Sequence, residues 1–237
     1  MNSPVLLYHK IDRPTPDVRI RGAFTSPRRF ERQMSYLVRS GYRFFSASAM
    51  AGHYLELGRF PDKCVCITFD DGWKDNYTYA FPILKKFQIP ATVFVVPSCV
   101  GTMTAMVTAE GEGSREHMSE EDIREMSASG IEFGSHSMNH KLFDRIDTGE
   151  VESEVSESKN YLEDLLQQDC RVFAYPAGFF TEFSQSVVKR AGYIAAFSTV
   201  YGRDDNSDVF ALNRSEILHR HGYPFRFARR IRSIFPG

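Results

Sequence analysis

This sequence of 237 residues has little of what marks several large classes of protein. It contains one tryptophan and four cysteines, and no apolar run is long enough to span a bilayer. With 29 Lys+Arg against 30 Asp+Glu, the formal net charge is −1, which argues against a nucleic-acid partner. The first residues also lack the basic and apolar regions of a signal peptide. We therefore expect a cytoplasmic location, with peripheral membrane contact left open.

The four cysteines follow no pattern that is typical of a metal or redox site. Cys64 and Cys66 form a C-x-C pair in a strand-like run, and this spacing differs from the C-x-x-C of redox sites and zinc knuckles. Buried free cysteines behave as small apolar side chains. We therefore interpret all four, including Cys99 and Cys170, as reduced core residues, which suits a reducing compartment.

The order of apolar segments predicts a single α/β domain over residues 1–237. Hydrophobic residues make up 42% and charged residues 25%, as in ordinary globular proteins. Short apolar runs alternate with helix-like stretches such as Tyr77–Phe87, while residues 101–118 read as a long loop. This alternation indicates parallel strands joined by helices, closed or nearly closed into a (β/α) barrel with reactive groups at the strand ends. The predicted strands are Val5–Tyr8, Tyr42–Phe45, Cys64–Phe69, Ala91–Val96, Ile131–Gly134, Val172–Tyr175 and Ile194–Ser198.

The C-terminal tail, residues 224–237, is basic and aromatic. Two interpretations are open for it. It forms a helix that packs on the barrel with its arginines solvated, which we favour, or an amphipathic helix that contacts an anionic membrane or a partner.

The strongest chemical signal is Thr68-Phe69-Asp70-Asp71-Gly72. Two adjacent carboxylates at the end of a buried strand repel each other and need a cation or a proton nearby. A divalent metal ion bound by one aspartate would leave the other free as a base. The alternative is a simple turn, because Asp-Asp-Gly is also a common turn sequence.

The second signal is the segment from His136 to His140, directly after a predicted strand. Histidines at positions i and i+4 meet on one face of a helical turn, a spacing that suits two ligands of one metal ion. Together with Asp71 they give a His₂Asp set. Three protein ligands leave positions open for water and substrate, as in catalytic metal sites.

A third element is the Pro176-Ala177-Gly178 turn after the strand that ends at Tyr175. Such a turn can direct a backbone N–H outward, where it would stabilise an oxyanion. The plain alternative is that the segment only reverses the chain.

These motifs, in this order, resemble those of the polysaccharide deacetylases with the NodB-homology domain, carbohydrate esterase family 4. Residues 67–72 and the helix after them look like the first motif of that family, and residues 130–140 are similar to its H-[ST]-x-x-H motif. The resemblance runs from Val5 to about Leu218. It implies a distorted (β/α)₇ barrel that removes acetyl groups from an acetylated glycan, with N-acetyl favoured over O-acetyl.

By motif position, the resemblance implies a role for each residue of the site. Asp70 would be the general base, while Asp71, His136 and His140 would hold a metal ion, commonly zinc, cobalt or nickel. Ser137 would brace the histidine loop by hydrogen bonding. Many members carry R-x-P-Y-G in the third motif, but here Ala174 and Ala177 replace the Arg and the Tyr.

Because Ala174 and Ala177 replace the Arg and the Tyr of the third motif, other groups must take over the roles of those two side chains. The N–H of Ala177 remains available to an oxyanion. Arg214 is our candidate for the missing arginine that orients the base, with Arg171 as a weaker one.

The general acid has two candidates. A subgroup that resembles the poly-N-acetylglucosamine deacetylases carries a Tyr-His motif on the first strand, and Tyr8-His9 looks like that motif. The other candidate is His219, because Leu218-His219 resembles the L-x-H motif of other members. The fit to that motif is only rough. We therefore choose His9 as the acid. Two further functions stay open, a carbohydrate-binding protein of the same fold with impaired catalysis and an amidase acting on a small non-sugar amide.

Overall fold

The structure is a computed structural model that describes residues 4–15, 18, 23–104, 114–199 and 208–234. Strands and helices alternate along these ranges, as the sequence predicts. The strands are β1 (Val5–Tyr8), β2 (Arg43–Phe45), β3 (Cys64–Phe69), β4 (Ala91–Val95), β5 (Met103–Thr104), β6 (Arg115–Glu116), β7 (Glu132–Ser135), β8 (Val172–Ala174), β9 (Ala195–Ser198), β10 (Leu212–Asn213) and β11 (Ser215–Glu216). The α-helices are α1 (Pro27–Arg39), α2 (Ala47–Leu57), α3 (Phe81–Phe87), α4 (Glu120–Ala128), α5 (Thr148–Leu166), α6 (Glu182–Arg190) and α7 (Pro224–Ile234).

The main sheet curls into a nearly closed barrel of parallel strands. Its order is β10-β9-β8-β7-β4-β3-β1-β11, with β2 paired to the beginning of β3. The two edge strands are consecutive in the chain, because β10 pairs with β9 and β11 pairs with β1 on either side of Arg214. The last strand is therefore one interrupted strand that joins both edges of the sheet. The fold is the distorted seven-stranded (β/α) barrel that the resemblance implied.

Local capping chemistry begins several of the helices. Ser119 and Asp122 form a reciprocal capping box at α4, and Thr181 and Ser184 form another at α6. The Asp147 side chain accepts from the N–H of Glu150 at the start of α5. Each cap satisfies backbone donors that the first helical turn leaves unpaired.

The predicted helix Tyr77–Phe87 is two elements rather than one. A π-helical turn at Asn76–Ala80 precedes α3, and Pro82 lies in the first turn of α3. Proline has no N–H to donate and fits only where none is needed. The wider π turn therefore carries the chain from the β3 loop into the regular helix.

Buried residues separate into a layer inside the barrel and a layer between the sheet and its helices. Along β3, Ile67 and Phe69 belong to the outer layer, while Cys66 belongs to the inner one. Successive side chains of a strand point to opposite faces. Asp70 follows the alternation of Cys66 and Thr68, so its carboxylate points into the barrel.

Two segments differ from, or qualify, the sequence-based prediction. The 101–118 segment is not a loop throughout, since β5 and β6 pair as antiparallel strands; residues 105–113 lie outside the described residues. The C-terminal tail forms α7, which buries Phe227, Ala228, Ile231 and Ile234, so the predicted packing of the tail as a helix on the barrel is confirmed for 224–234, while this packing tests neither interpretation of its arginines. Residues 235–237 lie outside the description. None of the described helices is both long and apolar enough to cross a membrane.

The packing inside the barrel makes a prediction about two glycines. A Cβ at Gly134 would lie 2.6 Å from the Phe94 ring and 2.8 Å from the Val172 carbonyl oxygen. We expect Gly134→Ala to lower the free energy of unfolding by about 1–3 kcal/mol because the ring and the backbone must move. Gly52→Ala, within α2 and with open space around it, serves as the control. It should raise that free energy by about 0.5–1 kcal/mol in denaturant unfolding. Equal effects of the two changes would contradict this packing account.

Candidate active site

The carboxyl ends of the parallel strands gather the predicted site residues at one rim of the barrel. His9 follows β1, Asp70 and Asp71 follow β3, and His136 follows β7. Arg214 interrupts the last strand next to them. Parallel strands that close into a barrel bring these ends together, although the residues are far apart in sequence.

Asp71, His136 and His140 have the geometry of a set of metal ligands. One donor atom from each lies within 4.8 Å of the other two, and Asp71 Oδ1 lies 3.7 Å from His136 Nε2 and 3.6 Å from His140 Nε2. Ligand atoms around a tetrahedral zinc ion are separated by about 3.3–3.6 Å, since each bond is about 2.0–2.2 Å long. The distances from Asp71 to the two histidines are therefore close to those around a divalent ion, and all three donor atoms lie within 4.8 Å of one another.

The protonation states also suit metal binding. His136 Nδ1 lies 2.7 Å from the carbonyl oxygen of Ala174, which holds the proton on Nδ1 and leaves Nε2 as a free lone pair. Burial, reinforced by the neighbouring His136, lowers the pKa of His140 to about 4. His140 is therefore a neutral imidazole at neutral pH, the form that binds metals.

Asp71 is ionised as well. Burial opposes its charge, but His140, His9 and His136 outweigh burial and hold its pKa below the usual range. Trp73 Nε1 donates to Asp71 Oδ2 at 2.8 Å, which leaves Oδ1 toward the two histidines. The Trp73 ring stacks on His117 at 4.1 Å, and His117 Nδ1 lies 3.0 Å from the Asp71 carbonyl oxygen. Neither Trp73 nor His117 was predicted to take part in the site.

The histidine loop corrects two predictions. Residues 136–140 do not form a helical turn; Ser137 and His140 have left-handed backbone angles, with φ of 63° and 57°. These bends bring the two rings to 4.9 Å between centroids. The predicted brace by the Ser137 hydroxyl is also wrong, since that buried oxygen has no hydrogen-bond partner among the residues that the structure describes.

The loop is held from α5 instead. The buried Glu154 carboxylate accepts from the backbone N–H and the side-chain amide of Asn139, each at 2.7 Å. The N–H of Met138 donates to the Glu154 carbonyl oxygen. A carboxylate placed in the middle of α5 carries no local sequence signal for this contact.

Asp70 forms a bidentate ion pair with Arg214. Both guanidinium–carboxylate distances are 2.6 Å; the Arg214 side chain is 0% exposed and Asp70 is 3% exposed. Burial raises the pKa of Asp70, but Arg214 outweighs it, so the pKa is lowered and Asp70 is ionised at neutral pH. The Arg214 guanidinium lies over the Phe94 ring at 5.3 Å. Arg171, the weaker candidate, is exposed and precedes β8 at the opposite end of the barrel.

The two candidate acids lie in different surroundings. His9 is partly buried, and its charge contributes to the lowered pKa of both Asp70 and Asp71. Its carbonyl oxygen accepts from Asn76 Nδ2 at 2.8 Å. His219 Nε2 lies 3.1 Å from Arg29 Nη1, in the first turn of α1.

Ala177 lies in the turn after β8 with a left-handed φ of 52°, and its surface is exposed. Its carbonyl oxygen accepts from the Thr199 hydroxyl at 3.1 Å. A Cβ at Gly178 would lie 2.1 Å from that hydroxyl, so the turn requires glycine there.

This chain matches a known protein family over more than half of its length. The family model described as polysaccharide deacetylase matches residues 58–196. This chain belongs to the polysaccharide deacetylase family. It is similar to the structure of the Streptococcus pyogenes deacetylase PplD in complex with acetate, with a TM-score of 0.82, 27% identity and 98% of each chain covered.

Two other proteins resemble this deacetylase, one in its fold and one in its sequence. The structure of IcaB from Ammonifex degensii matches with a TM-score of 0.77 and 27% identity, over 96% of this chain and 95% of that one. The poly-beta-1,6-N-acetyl-D-glucosamine N-deacetylase of Staphylococcus aureus is 29% identical over 76% of this chain. The matched part spans 62% of that relative's length.

A partly buried carboxyl that sequence reasoning missed holds the segment after His9. Asp75 Oδ1 accepts from the N–H of Ile11 and from Asn76 Nδ2, each at 2.8 Å. Burial raises the pKa of Asp75 to about 7. Asp75 and Asn76 therefore hold the segment that carries His9 in place at the rim by hydrogen bonds.

Asp75 gives this deacetylase fold a pH-dependent stability. Its folded-state pKa of about 7 exceeds the ordinary value of 3.8, so its contribution is fully present below pH 3.8 and is lost as the pH rises through 7. Asp75→Asn keeps the accepting oxygen and cannot ionise. We expect denaturant unfolding between pH 4 and 7 to show a smaller loss of stability with rising pH in the variant. Identical pH profiles in variant and parent would contradict the burial of an ionising carboxyl.

Proposed function

We propose that this protein is a metal-dependent hydrolase that removes acetyl groups from N-acetylated sugars of a glycan. The proposal rests on two groups of residues that lie next to each other at the same rim of the barrel. One is the His₂Asp set of Asp71, His136 and His140, and the other is the ionised Asp70 that Arg214 holds beside it.

Asp71, His136 and His140 would hold the metal ion. We assign zinc, with cobalt and nickel as alternatives, because two imidazoles and one carboxylate are typical ligands of these ions. When bound, a divalent ion lowers the pKa of water and polarises a carbonyl oxygen.

Asp70 is the proposed general base. His136 Nε2 lies 3.7 Å from Asp70 Oδ2, so the carboxylate borders the ligand set without belonging to it. It would accept the proton of the water whose oxygen bonds to the acetyl carbon. Arg214 is a positioning residue in this scheme, since its two donors fix the carboxylate and keep it ionised.

His9 is the proposed general acid. As the bond between the acetyl carbon and the sugar nitrogen breaks, the nitrogen needs a proton to leave as an amine, and a protonated histidine supplies it near neutral pH. The N–H of Ala177 is the proposed donor to the acetyl oxygen, on which negative charge develops. Water and amide are thereby converted to acetate and a free amine.

The name of one relative supports a choice of substrate class. A Staphylococcus aureus relative is named as a deacetylase of poly-β-1,6-N-acetylglucosamine, so we propose oligomers of that type as the first substrates to test.

The experiment measures acetate release from β-1,6-linked N-acetylglucosamine oligomers with added zinc or with chelator. We expect chelator to stop release. Asp70→Asn should lower kcat at least about 100-fold, because general base catalysis contributes about 10²–10⁴-fold. His9→Ala should lower kcat similarly, whereas His219→Ala, a matched histidine change, should leave it nearly unchanged.

Full activity of Asp70→Asn would overturn the assignment of the base. A larger loss in His219→Ala than in His9→Ala would move the acid to His219. Binding of the oligomer without acetate release from the parent protein, with zinc present, would favour a binding role. Release from a small non-sugar amide alone would favour the amidase.

A further inference from the structure

A basic pocket lies between the turn that follows β11 and α7. Its cavity volume is about 380 Å³, and it is lined by Arg220, His221, Arg226, Arg229, Arg230 and Ser233. Arg220 and His221 belong to the 3₁₀ turn at His219–Gly222, which follows β11, and the others belong to α7. This basic pocket forms no part of the proposed chemistry.

The charges of the basic pocket are not neutralised within the part of the chain that the structure describes. None of its four arginines forms an ion pair with a carboxylate there. The chain as a whole has a formal net charge of −1, yet residues 217–234 contain five arginines and no Asp or Glu. Four guanidinium groups around one cavity create a strong local field for an anion.

One donor of the pocket also lacks an acceptor in the part of the chain that the structure describes. Arg230 Nε is buried and has no hydrogen-bond partner among the described residues. A buried unpaired donor is costly, and an anion in the cavity would satisfy it. Among the described residues, the hydrogen bonds of Arg226 to the Arg220 carbonyl oxygen and of Arg220 to His221 Nε2 are both long, at 3.5 Å.

His221 adds a neutral donor. Its Nδ1 accepts from the N–H of Leu218 at 3.0 Å, so the proton of the neutral ring lies on Nε2. Burial and the neighbouring arginines lower the pKa of His221 to about 4, which keeps the ring neutral at physiological pH. The pocket therefore offers N–H donors of the kind that bind phosphoryl oxygens.

Two aromatic side chains stand exposed beside these arginines. Tyr223 is 52% exposed and Phe225 is 68% exposed, and Arg226 lies over both rings at 5.4 and 5.8 Å. Phe227, Ala228, Ile231 and Ile234 fix the other face of α7 on the barrel. Exposed aromatic rings next to arginines are typical of segments that lie at the interface of an anionic membrane.

We propose that this face of the protein docks on an anionic phospholipid surface, with a headgroup phosphate in the basic pocket and Tyr223 and Phe225 at the lipid interface. Charge complementarity carries the choice of partner, since arginine forks match phosphate geometry. The exposed rings favour a lipid surface over a soluble phosphate ester, which would leave them in water. The inference stands independently of the proposed catalysis.

The test is sedimentation of the full chain with vesicles of phosphatidylcholine, with or without phosphatidylglycerol. We expect binding only when phosphatidylglycerol is present. Arg226→Gln/Arg229→Gln removes two exposed charges and no core contact, and it should weaken partitioning about 30-fold, at roughly fivefold per arginine. Phe225→Ser should weaken it about tenfold through lost apolar burial.

The control is Arg124→Gln/Arg190→Gln, which changes net charge equally on α4 and α6. It should alter partitioning by less than about twofold, since these charges lie outside the docking face and are screened. Equal losses in both double variants would overturn the proposal in favour of general charge attraction. Absence of vesicle binding would overturn it as well. So would binding of glycerol phosphate to the parent chain in calorimetry without any vesicle binding.

Discussion

The bidentate pair between Arg214 and Asp70 is the interaction on which the rest of the rim depends. Two charges that are almost fully buried are costly to hold apart from water, so each requires the other in place. Arg214 reaches Asp70 because the last strand of the barrel is interrupted at that residue. The guanidinium rests on Phe94, and that ring has space only because residue 134 is a glycine. The interrupted strand that closes the barrel therefore also positions the proposed base, through Arg214.

The adjacent aspartates have different partners because the backbone changes between them. Asp70 continues the alternation of β3 and points into the barrel at Arg214. Asp71 has a left-handed φ of 74°, which turns its carboxylate toward His136 and His140. This turn thus directs the proposed base and the neighbouring metal ligand to different partners. Trp73 Nε1 holds the Asp71 carboxylate in place with a hydrogen bond. Like charges on neighbouring residues are tolerated because each faces its own cationic or metal-binding partner.

Much of this arrangement could be predicted from the sequence, because it follows from where the short apolar segments begin and end along the chain. The strand Cys64–Phe69 has the predicted bounds, and the strand ends place Asp70, Asp71 and His136 at one rim. The interpretation of residues 136–140 as a helical turn was wrong because a spacing of i to i+4 is also compatible with two left-handed bends. Glu154, Trp73 and Asp75 were missed since their contacts depend on tertiary packing, such as the placement of α5 beside the histidine loop. Arg214 was named as a candidate, but only the closed barrel puts its guanidinium against Asp70.

The most direct test of the account is a calorimetric titration of zinc into the metal-free protein. The account predicts one ion per chain, with affinity that falls at least about tenfold when His140 or Asp71 is changed to Asn, since each change removes one of three ligands. His53→Asn, a change to a histidine that packs on Phe45 far from the rim, should leave the titration unchanged. Zinc binding that persists at full affinity without His140 and Asp71, or no zinc binding by the parent protein, would contradict the proposed metal centre.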